Sequence, residues 1–124
     1  MAFEKVTPLS ELDAARAFSV IPVPDPSGRS TPETLAAAGQ AFELSVSNGS
    51  AVFVVNKNGG QLWIQAAAGA AADNLTEIGL DLIEEMARQA DCTQVAFQTM
   101  RRGLVKKANQ RGYEIAGWIL KKAV

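Results

Sequence analysis

One stretch of this sequence, residues 61–90 (QLWIQAAAGAAADNLTEIGLDLIEEMARQA), constrains the fold more than any other. It predicts a strand over Gln61–Ala66, a loop of small residues, and then an amphipathic helix, in which Asn74 and Glu77 have the spacing of a capping box. A strand that leads into a helix N-terminus is a common anion-binding arrangement, because the first helical amides have no acceptor within the helix. This turn is therefore a candidate site for a phosphate-bearing ligand.

Composition excludes several classes of site. The 124 residues include no histidine, which rules out Ser-His-Asp and Cys-His catalysis and argues against zinc, so no metal site is expected. Cys92 is the one cysteine, so it has no partner for a disulfide within the chain, which fits a reducing compartment. No apolar run reaches the roughly 20 residues of a membrane span, and the N-terminus lacks the pattern of a signal peptide. These features predict a single cytoplasmic domain.

Charge is distributed unevenly along the chain. Residues 1–100 carry five Lys/Arg against twelve Asp/Glu, whereas residues 101–124 carry seven Lys/Arg against Glu114 alone. The basic C-terminal quarter predicts contact with something anionic, and the alternative is that an acidic and a basic helix flank one sheet. On a helical wheel, Arg102 and Lys106 lie on one side of the apolar stripe, and Lys107 and Arg111 lie on the other. They do not form one basic stripe, so nucleic-acid binding is not expected.

Hydrophobic periodicity, caps and turn signals predict the remaining elements. The predicted elements are a strand at Ala2–Val6, a helix from Ser10 to Ile21, a helix at Pro32–Gly39, strands at Phe42–Val46, Ala51–Val55 and Gln61–Ala66, a helix between Asn74 and Asp91, a strand at Gln94–Gln98, a helix at Arg101–Arg111 and a strand at Glu114–Lys121. The segment Phe42–Val46 has an alternative interpretation, a helix that continues from Pro32 to Ser47. The three prolines between the first two helices predict an extended loop.

The resulting order is β-α-α-β-β-β-α-β-α-β. Asn48-Gly49 and Asn58-Gly59-Gly60 are turn signals that join three antiparallel strands into a meander. Strand–helix–strand units after such a meander predict an α/β protein with a mixed sheet and helices on both faces.

The second half of the chain resembles the GNAT superfamily, the acyl-CoA-dependent N-acetyltransferases. LDLIEEMARQADCTQVAFQT is similar to the central helix and following strand of that family. RRGLVKKANQRGYEIAGWIL is similar to its next helix, its turn (here Gly112-Tyr113) and its last strand. Residues 40–124 carry the resemblance, and the N-terminal helices match by order only. The resemblance implies one GNAT-like domain over residues 1–124, with acetyl-CoA as its cofactor.

The family's cofactor loop has the form Arg/Gln-x-x-Gly-x-Gly/Ala, and this chain aligns with it in two ways. The segment 66–71 keeps Gly69 and Ala71 of the Gly-x-Ala pattern but places Gln65 one position early. The segment 72–76 is preferred because it needs no insertion before the helix; it has no glycine and places Asp73 where it would repel a diphosphate.

The resemblance also implies which residues would hold the cofactor. The backbone of Gln65, Ala66 and Ala67, together with the amides of Asn74, Leu75 and Thr76, would hold acetyl-CoA. Arg101, at the start of the next helix, would contact a cofactor phosphate or would simply be solvated.

No catalytic residue emerges from the sequence. The family often uses a tyrosine four residues before the turn as general acid, and that position is Ala108 here. Tyr113 occupies the aromatic position of the turn, which favours a structural role, and Glu43 is expected on the solvated face of a strand. Cys92 is expected to be a small buried residue. Two tryptophans, Trp63 and Trp118, are expected in the core or an interface.

Two hypotheses of different classes follow. The first is an N-acetyltransferase that acts on an unknown amine by direct attack on the thioester, a reaction that positioning and backbone hydrogen bonds can support. The second is a pseudoenzyme, a non-catalytic GNAT-fold binding or assembly protein of a phage- or prophage-associated kind. This second hypothesis predicts a homo-oligomer or a complex with a protein partner.

Overall fold

The computed structural model describes residues 5–20, 31–46, 49–71, 75–99, 101–117, 120 and 122–124. Its elements are β1 (Lys5–Leu9), α1 (Glu11–Val20), α2 (Pro32–Ala37), β2 (Gln40–Val46), β3 (Gly49–Asn58), β4 (Gln61–Ala71), α3 (Leu75–Gln89), β5 (Gln94–Phe97) and α4 (Arg102–Gln110). The proline-rich loop and the turn at Asn48 lie outside the described residues. No helix in the described part of the chain is both long and apolar enough to cross a membrane.

The strands form one mixed sheet in the order β1-β2-β3-β4-β5. The first four strands are antiparallel neighbours, whereas β5 pairs in parallel with β4, and α3 makes the crossover between them. The predicted α/β class, mixed sheet and central meander are therefore confirmed. The alternative helix from Pro32 to Ser47 is wrong, because β2 pairs with β3 from Gln40 opposite Val55 to Val46 opposite Gly49.

Local capping explains where the early helices begin. The Ser10 hydroxyl accepts a hydrogen bond from the amide of Asp13 at 3.2 Å, as expected for an N-cap. Thr31 and Thr34 form a reciprocal capping box, with Pro32 in the first turn of α2. The sequence therefore located both helix starts correctly.

Two apolar layers hold the sheet, one on each face. Small residues of α1 and α2, including Ala14 and Ala36, pack on one face, against Val52 and Val54. The other face packs on α3, where the buried side chains are Leu80, Ile83 and Ala87. The prediction of helices on both faces is confirmed. Cys92 is buried in the α3 layer, as the sequence indicated.

The last strand is the clearest error of the sequence prediction. Within the described residues, 114–117 and 120 are not strand, and Ile115 and Leu120 are 62% and 89% exposed. Alternating apolar residues supply the side chains of a strand, but a strand also needs a hydrogen-bonded neighbour. In the part of the chain that the structure describes, the outer edge of β5 has no such neighbour.

The first strand extends beyond its predicted end, and residues 2–4 of the prediction lie outside the described residues. It was expected at Ala2–Val6 and lies at Lys5–Leu9, where Val6 pairs with Leu44 and Pro8 with Phe42. Proline is tolerated here because β1 is at the edge of the sheet and its missing N–H costs no central hydrogen bond.

Candidate functional site

The parting of β4 and β5 creates the candidate site. The two strands pair only from Gln61 opposite Gln94 to Ile64 opposite Phe97. β4 then continues to Ala71, and within the described residues its outer edge beyond Ile64 has no strand partner. Alternate residues of such an edge point their N–H and C=O groups outward. An extended ligand can therefore form backbone hydrogen bonds along residues 65–71.

A β-bulge stands at the start of this open edge. Val54 pairs with Ala66 and Val55 pairs with Ile64, so Gln65 is an extra residue on β4. The exposed Gln65 side chain accepts a long hydrogen bond, 3.4 Å, from the side-chain amide of Asn56. At the bulge, the regular pairing of β4 with β3 is interrupted, and just before it the pairing of β4 with β5 ends.

The bulge also changes the face on which the β4 side chains lie. Before it, Leu62 and Ile64 pack in the layer under α3. After it, Ala66 is buried and Ala68 is packed in the layer of α1 and α2. Ala67 is exposed. Since Ala66 is turned into the core, only its backbone is available to a ligand.

The alanine-rich segment is a strand and not the predicted loop. β4 was expected to end at Ala66, but it pairs with β3 as far as Ala71 opposite Gly49. Gly69 therefore lies in a strand, and a Cβ added there would stand 2.7 Å from Leu75 Cδ2 and 2.9 Å from Ala51 Cβ. Its lack of a side chain serves close packing of α3 on β4, so the alignment that used it as a phosphate-loop glycine is wrong.

The N-terminus of α3 is the second component of the site. The helix is described from Leu75, which packs in the α3 layer, and Thr76 is half-buried beside it. Because the first amides of a helix have no acceptor within it, this end can receive an anion. Asn74 and Asp73 lie outside the described residues, so the cap and the proposed repulsion remain predictions.

Arg101 lies in the connection between β5 and α4. It is exposed, its backbone amide donates to Thr99 Oγ1 at 3.0 Å, and its side chain makes no capping hydrogen bond to α4. The guanidinium can therefore turn toward an anion or remain in solvent. Glu43, which was expected on a solvated face, is half-buried on β2 between Thr7 and Val52.

The structure offers no tyrosine as general acid on the described α4. Ala108 is buried, with 4% of its surface exposed. The hydroxyl of Tyr113 donates to Glu84 Oε2 at 2.9 Å, and its ring lies 5.6 Å from that of Phe97. Burial raises the pKa of Tyr113, and the hydrogen bond to Glu84 raises it further. Its proton is therefore held in a structural contact.

Sequence reasoning missed a polar cluster between α3 and the end of α4. Arg111 Nη2 forms ion pairs with Asp81 and, at 3.1 Å, with Glu84. These hydrogen bonds, first to Asp81 and then to Glu84, raise the pKa of Arg111. The acidic residues of α3 recur at a spacing of three or four, on the face opposite its apolar stripe. The basic C-terminal quarter was the signal that could have identified their partner.

The same face of α3 carries a further carboxylate, that of Glu77. Glu77 Oε2 is shielded from solvent and, among the described residues, accepts no hydrogen bond. In that same part of the chain, no group of three or more His, Cys, Asp or Glu side chains could hold a metal ion.

No protein-family model matches the chain, and no curated protein sequence matches it. Solved structures match it over nearly its whole length. An aminoglycoside N-acetyltransferase, AAC(6')-Iy, in complex with CoA matches at 9% identity and a TM-score of 0.58, covering 100% of this chain and 96% of that one. The ribosomal-protein-alanine N-acetyltransferase of Brucella melitensis biovar Abortus 2308 matches at 12% identity and a TM-score of 0.57, covering 98% and 99%.

Glucosamine-6-phosphate N-acetyltransferase of Arabidopsis thaliana matches at 10% identity and a TM-score of 0.54, covering 98% of each chain. These likenesses concern the fold, because sequence identity is low throughout. The chain therefore has the fold of the GNAT acyltransferases.

Proposed function

We propose that this protein binds acetyl-CoA along the open edge of β4 and transfers its acetyl group to an amine. The observation that carries the proposal is the parting of β4 and β5 beyond Ile64 and Phe97, which frees the backbone of residues 65–71. Structural likeness supports it, since AAC(6')-Iy has been solved with CoA and with a CoA-containing bisubstrate analogue.

Each part of the site has a distinct role in this proposal. Backbone groups of Gln65, Ala66 and Ala67 hydrogen-bond the extended part of the ligand. The amides of Leu75 and Thr76, with Asn74 before them, face its phosphates at the positive end of α3. Arg101 adds a cation on the other side of the opening.

The chain's own contribution to catalysis is positioning. Acetyl-CoA supplies the activated acetyl group, and backbone N–H groups of an open strand hold it and stabilise developing negative charge on oxygen. With Ala108 buried and Tyr113 bound to Glu84, no tyrosine of α4 or of the turn after it delivers a proton. We therefore expect a slow enzyme.

The same two residues favour a second candidate, a pseudoenzyme that keeps the fold as a binding or assembly module. A non-catalytic protein needs no general acid, so it can have alanine at position 108. It can also use the Tyr113 hydroxyl for a structural hydrogen bond to Glu84. This candidate includes the phage- or prophage-associated role and requires a homo-oligomer or a protein partner.

The deciding experiment is a titration of the protein with acetyl-CoA. Calorimetry measures binding directly, and the shift in unfolding temperature measures it independently. A ligand that binds only the folded state raises the free energy of unfolding by RT ln(1 + [L]/Kd), and the unfolding temperature rises with it. Thr76→Pro removes one amide from the first turn of α3, a place where helices accept proline. We expect it to weaken binding of acetyl-CoA roughly 10- to 100-fold, because one hydrogen bond to a charged phosphate is lost. Thr76→Ala keeps the amide and should bind normally.

Turnover then separates the two candidates. Release of free CoA thiol in the presence of a panel of amines supports the transferase. Binding without turnover, together with a defined oligomer in sedimentation, supports the pseudoenzyme. Absence of acetyl-CoA binding at millimolar concentration would contradict the first candidate, and a strict monomer that binds CoA would contradict the second.

A further inference from the structure

A recess of about 330 Å³ lies beside the start of β4, ahead of the bulge at Gln65. The first residues of β2, the last residues of β3, the start of β4 and the C-terminal turn of α3 enclose it. Leu62 lines it, three residues before Gln65, so at about 3.3 Å per residue the recess lies roughly 10 Å from the start of the open edge. None of the residues proposed to hold acetyl-CoA lines the recess. Asn56, which lines it, donates to the Gln65 side chain at 3.4 Å, so the recess adjoins that site without sharing a residue with it.

The recess has apolar walls interrupted by Gln40, Asn56 and Lys57. Phe42, Val55, Leu62 and Met86 line it, and Phe42 is held in place by stacking on a neighbouring phenylalanine with ring centroids 5.7 Å apart. Gly39 also lines the recess, and a Cβ there would collide with the carbonyl oxygen of Val55. The backbone contact thus requires a glycine, and no side chain at this position fills the space. Such walls suit a hydrocarbon or aromatic group.

Lys57 is the charged residue on the rim. Its ammonium donates to the carbonyl oxygen of Ala90 at 2.6 Å, which uses one of its three donors. Among the described residues, no carboxylate lies within 4 Å of Lys57. Asp91, which follows Ala90, is exposed and does not line the recess. The rim is therefore complementary to an anion.

We propose that this recess binds a small apolar carboxylate. Its hydrocarbon part packs on Phe42, Val55, Leu62 and Met86, and its carboxylate receives hydrogen bonds from Lys57. At about 330 Å³, the recess is at the lower end of the range of ligand pockets and suits a small ligand. An amine of the same size is disfavoured, since its ammonium would face Lys57.

Octanoate has the required size and charge and serves as the probe. We expect saturable amide shifts at Phe42, Val55 and Leu62 when it is titrated into the isotope-labelled full chain. Octanol, which has the same carbon chain without the charge, should bind at least about tenfold more weakly, because a hydrogen bond between charged groups is lost. No saturable shifts, shifts that map elsewhere, or equal affinity for both compounds would overturn the proposal.

Two variants test the residues. Lys57→Met keeps the aliphatic stem and should weaken octanoate about tenfold while leaving octanol unchanged. Lys106→Met removes an exposed lysine of α4 and should change neither. Ala90→Leu fills the recess and should abolish binding of both compounds, which keeps the test valid if Lys57→Met does not fold. Sedimentation that shows a second copy covering this recess would also overturn the proposal.

Discussion

Glu84 joins α3 to the turn that follows α4. Its carboxylate accepts hydrogen bonds from the Tyr113 hydroxyl at 2.9 Å and from Arg111 Nη2 at 3.1 Å. The Tyr113 ring meanwhile packs on Phe97. Tyr113 therefore contributes an apolar ring and one polar donor to the same junction, and both contributions are structural.

Replacement of Tyr113 by phenylalanine should separate these contributions. Tyr113→Phe keeps the ring on Phe97 but leaves Glu84 without one donor, so we expect a loss of about 1–3 kcal/mol in the free energy of unfolding. Urea denaturation measures this loss, and acetyl-CoA binding should remain unchanged. Loss of turnover in a variant of unaltered stability would contradict the structural role.

The raised pKa of Tyr113 predicts a loss of stability in alkali. Its ordinary pKa is 10.0, and the folded value is higher because burial and Glu84 favour the protonated form. The unfolded chain therefore releases the proton first. The stabilisation is complete below pH 10 and is lost as the pH rises toward the folded pKa. Urea denaturation on either side of pH 10 should show the decline.

Tyr113→Phe is the control for this decline and should show a shallower one. Because Tyr113 is the only tyrosine in the sequence, tyrosinate absorbance reports its titration directly. Absorbance of the folded protein should rise at a higher pH than that of the urea-unfolded protein. Coincident titrations would contradict the buried hydrogen bond.

At the scale of elements, β4 shows that a strand can be missed when its sequence is considered without its pairing partner. Alanine is a weak strand former, so the segment after Ala66 was interpreted as a loop. It is a strand because β3 supplies partners along its whole length, from Asn58 to Gly49. The bulge at Gln65 also interrupts the alternation of faces, so a strict period of two does not continue through β4.

Close packing at Gly69 gives a prediction for the same strand. Gly69→Ala should destabilise the protein by about 1–3 kcal/mol, because the new methyl group would press on Leu75 and Ala51. Gly79→Ala is the matched control in the interior of α3, where nothing lies within 4 Å of the added methyl. It should stabilise by about 0.5–1 kcal/mol, since alanine favours helix over glycine. Denaturant midpoints compare the two, and equal effects would contradict the packing role.

The predictable part of the fold is the part that local signals specify. Caps at Ser10 and Thr31, the apolar stripe of α3 and the β-branched segment of β3 all act within a few residues, and these elements were located correctly. The candidate site depends on where two strands part, which is a property of pairing between distant segments. The donors of the site are backbone groups, which every residue type except proline supplies. The sequence could therefore predict the segment that contains the site but not the groups that are open to a ligand.

At the scale of the whole molecule, the uneven charge of the chain is resolved partly by the fold. Arg111 from the basic C-terminal quarter meets the acidic face of α3 at Asp81 and Glu84. The acidic and the basic helix, which the alternative interpretation expected to flank one sheet, are thus joined directly by this contact. Other basic residues of α4, among them Arg102 and Lys107, are exposed and remain available to an anionic ligand.

Removal of Arg111 should therefore loosen α4 without melting the sheet. Asp81 is exposed, so its ion pair contributes little, whereas Glu84 is shielded and would be left with one hydrogen bond fewer. In Arg111→Met we expect α4 amides to exchange with solvent roughly 10- to 100-fold faster, corresponding to about 1.5–3 kcal/mol. Amides of β2 and β3, which are held by their own ladder, should be unaffected.

Lys107→Met is the matched control, because it removes an exposed cation from the same helix. It should leave exchange in α4 unchanged. Equal acceleration in α4 and in the β2–β3 ladder of Arg111→Met would show that the residue acts on global unfolding. Unchanged exchange would show that the ion pairs contribute nothing. Selective acceleration is the result that follows if Arg111 and Tyr113 together fasten the C-terminal quarter to α3.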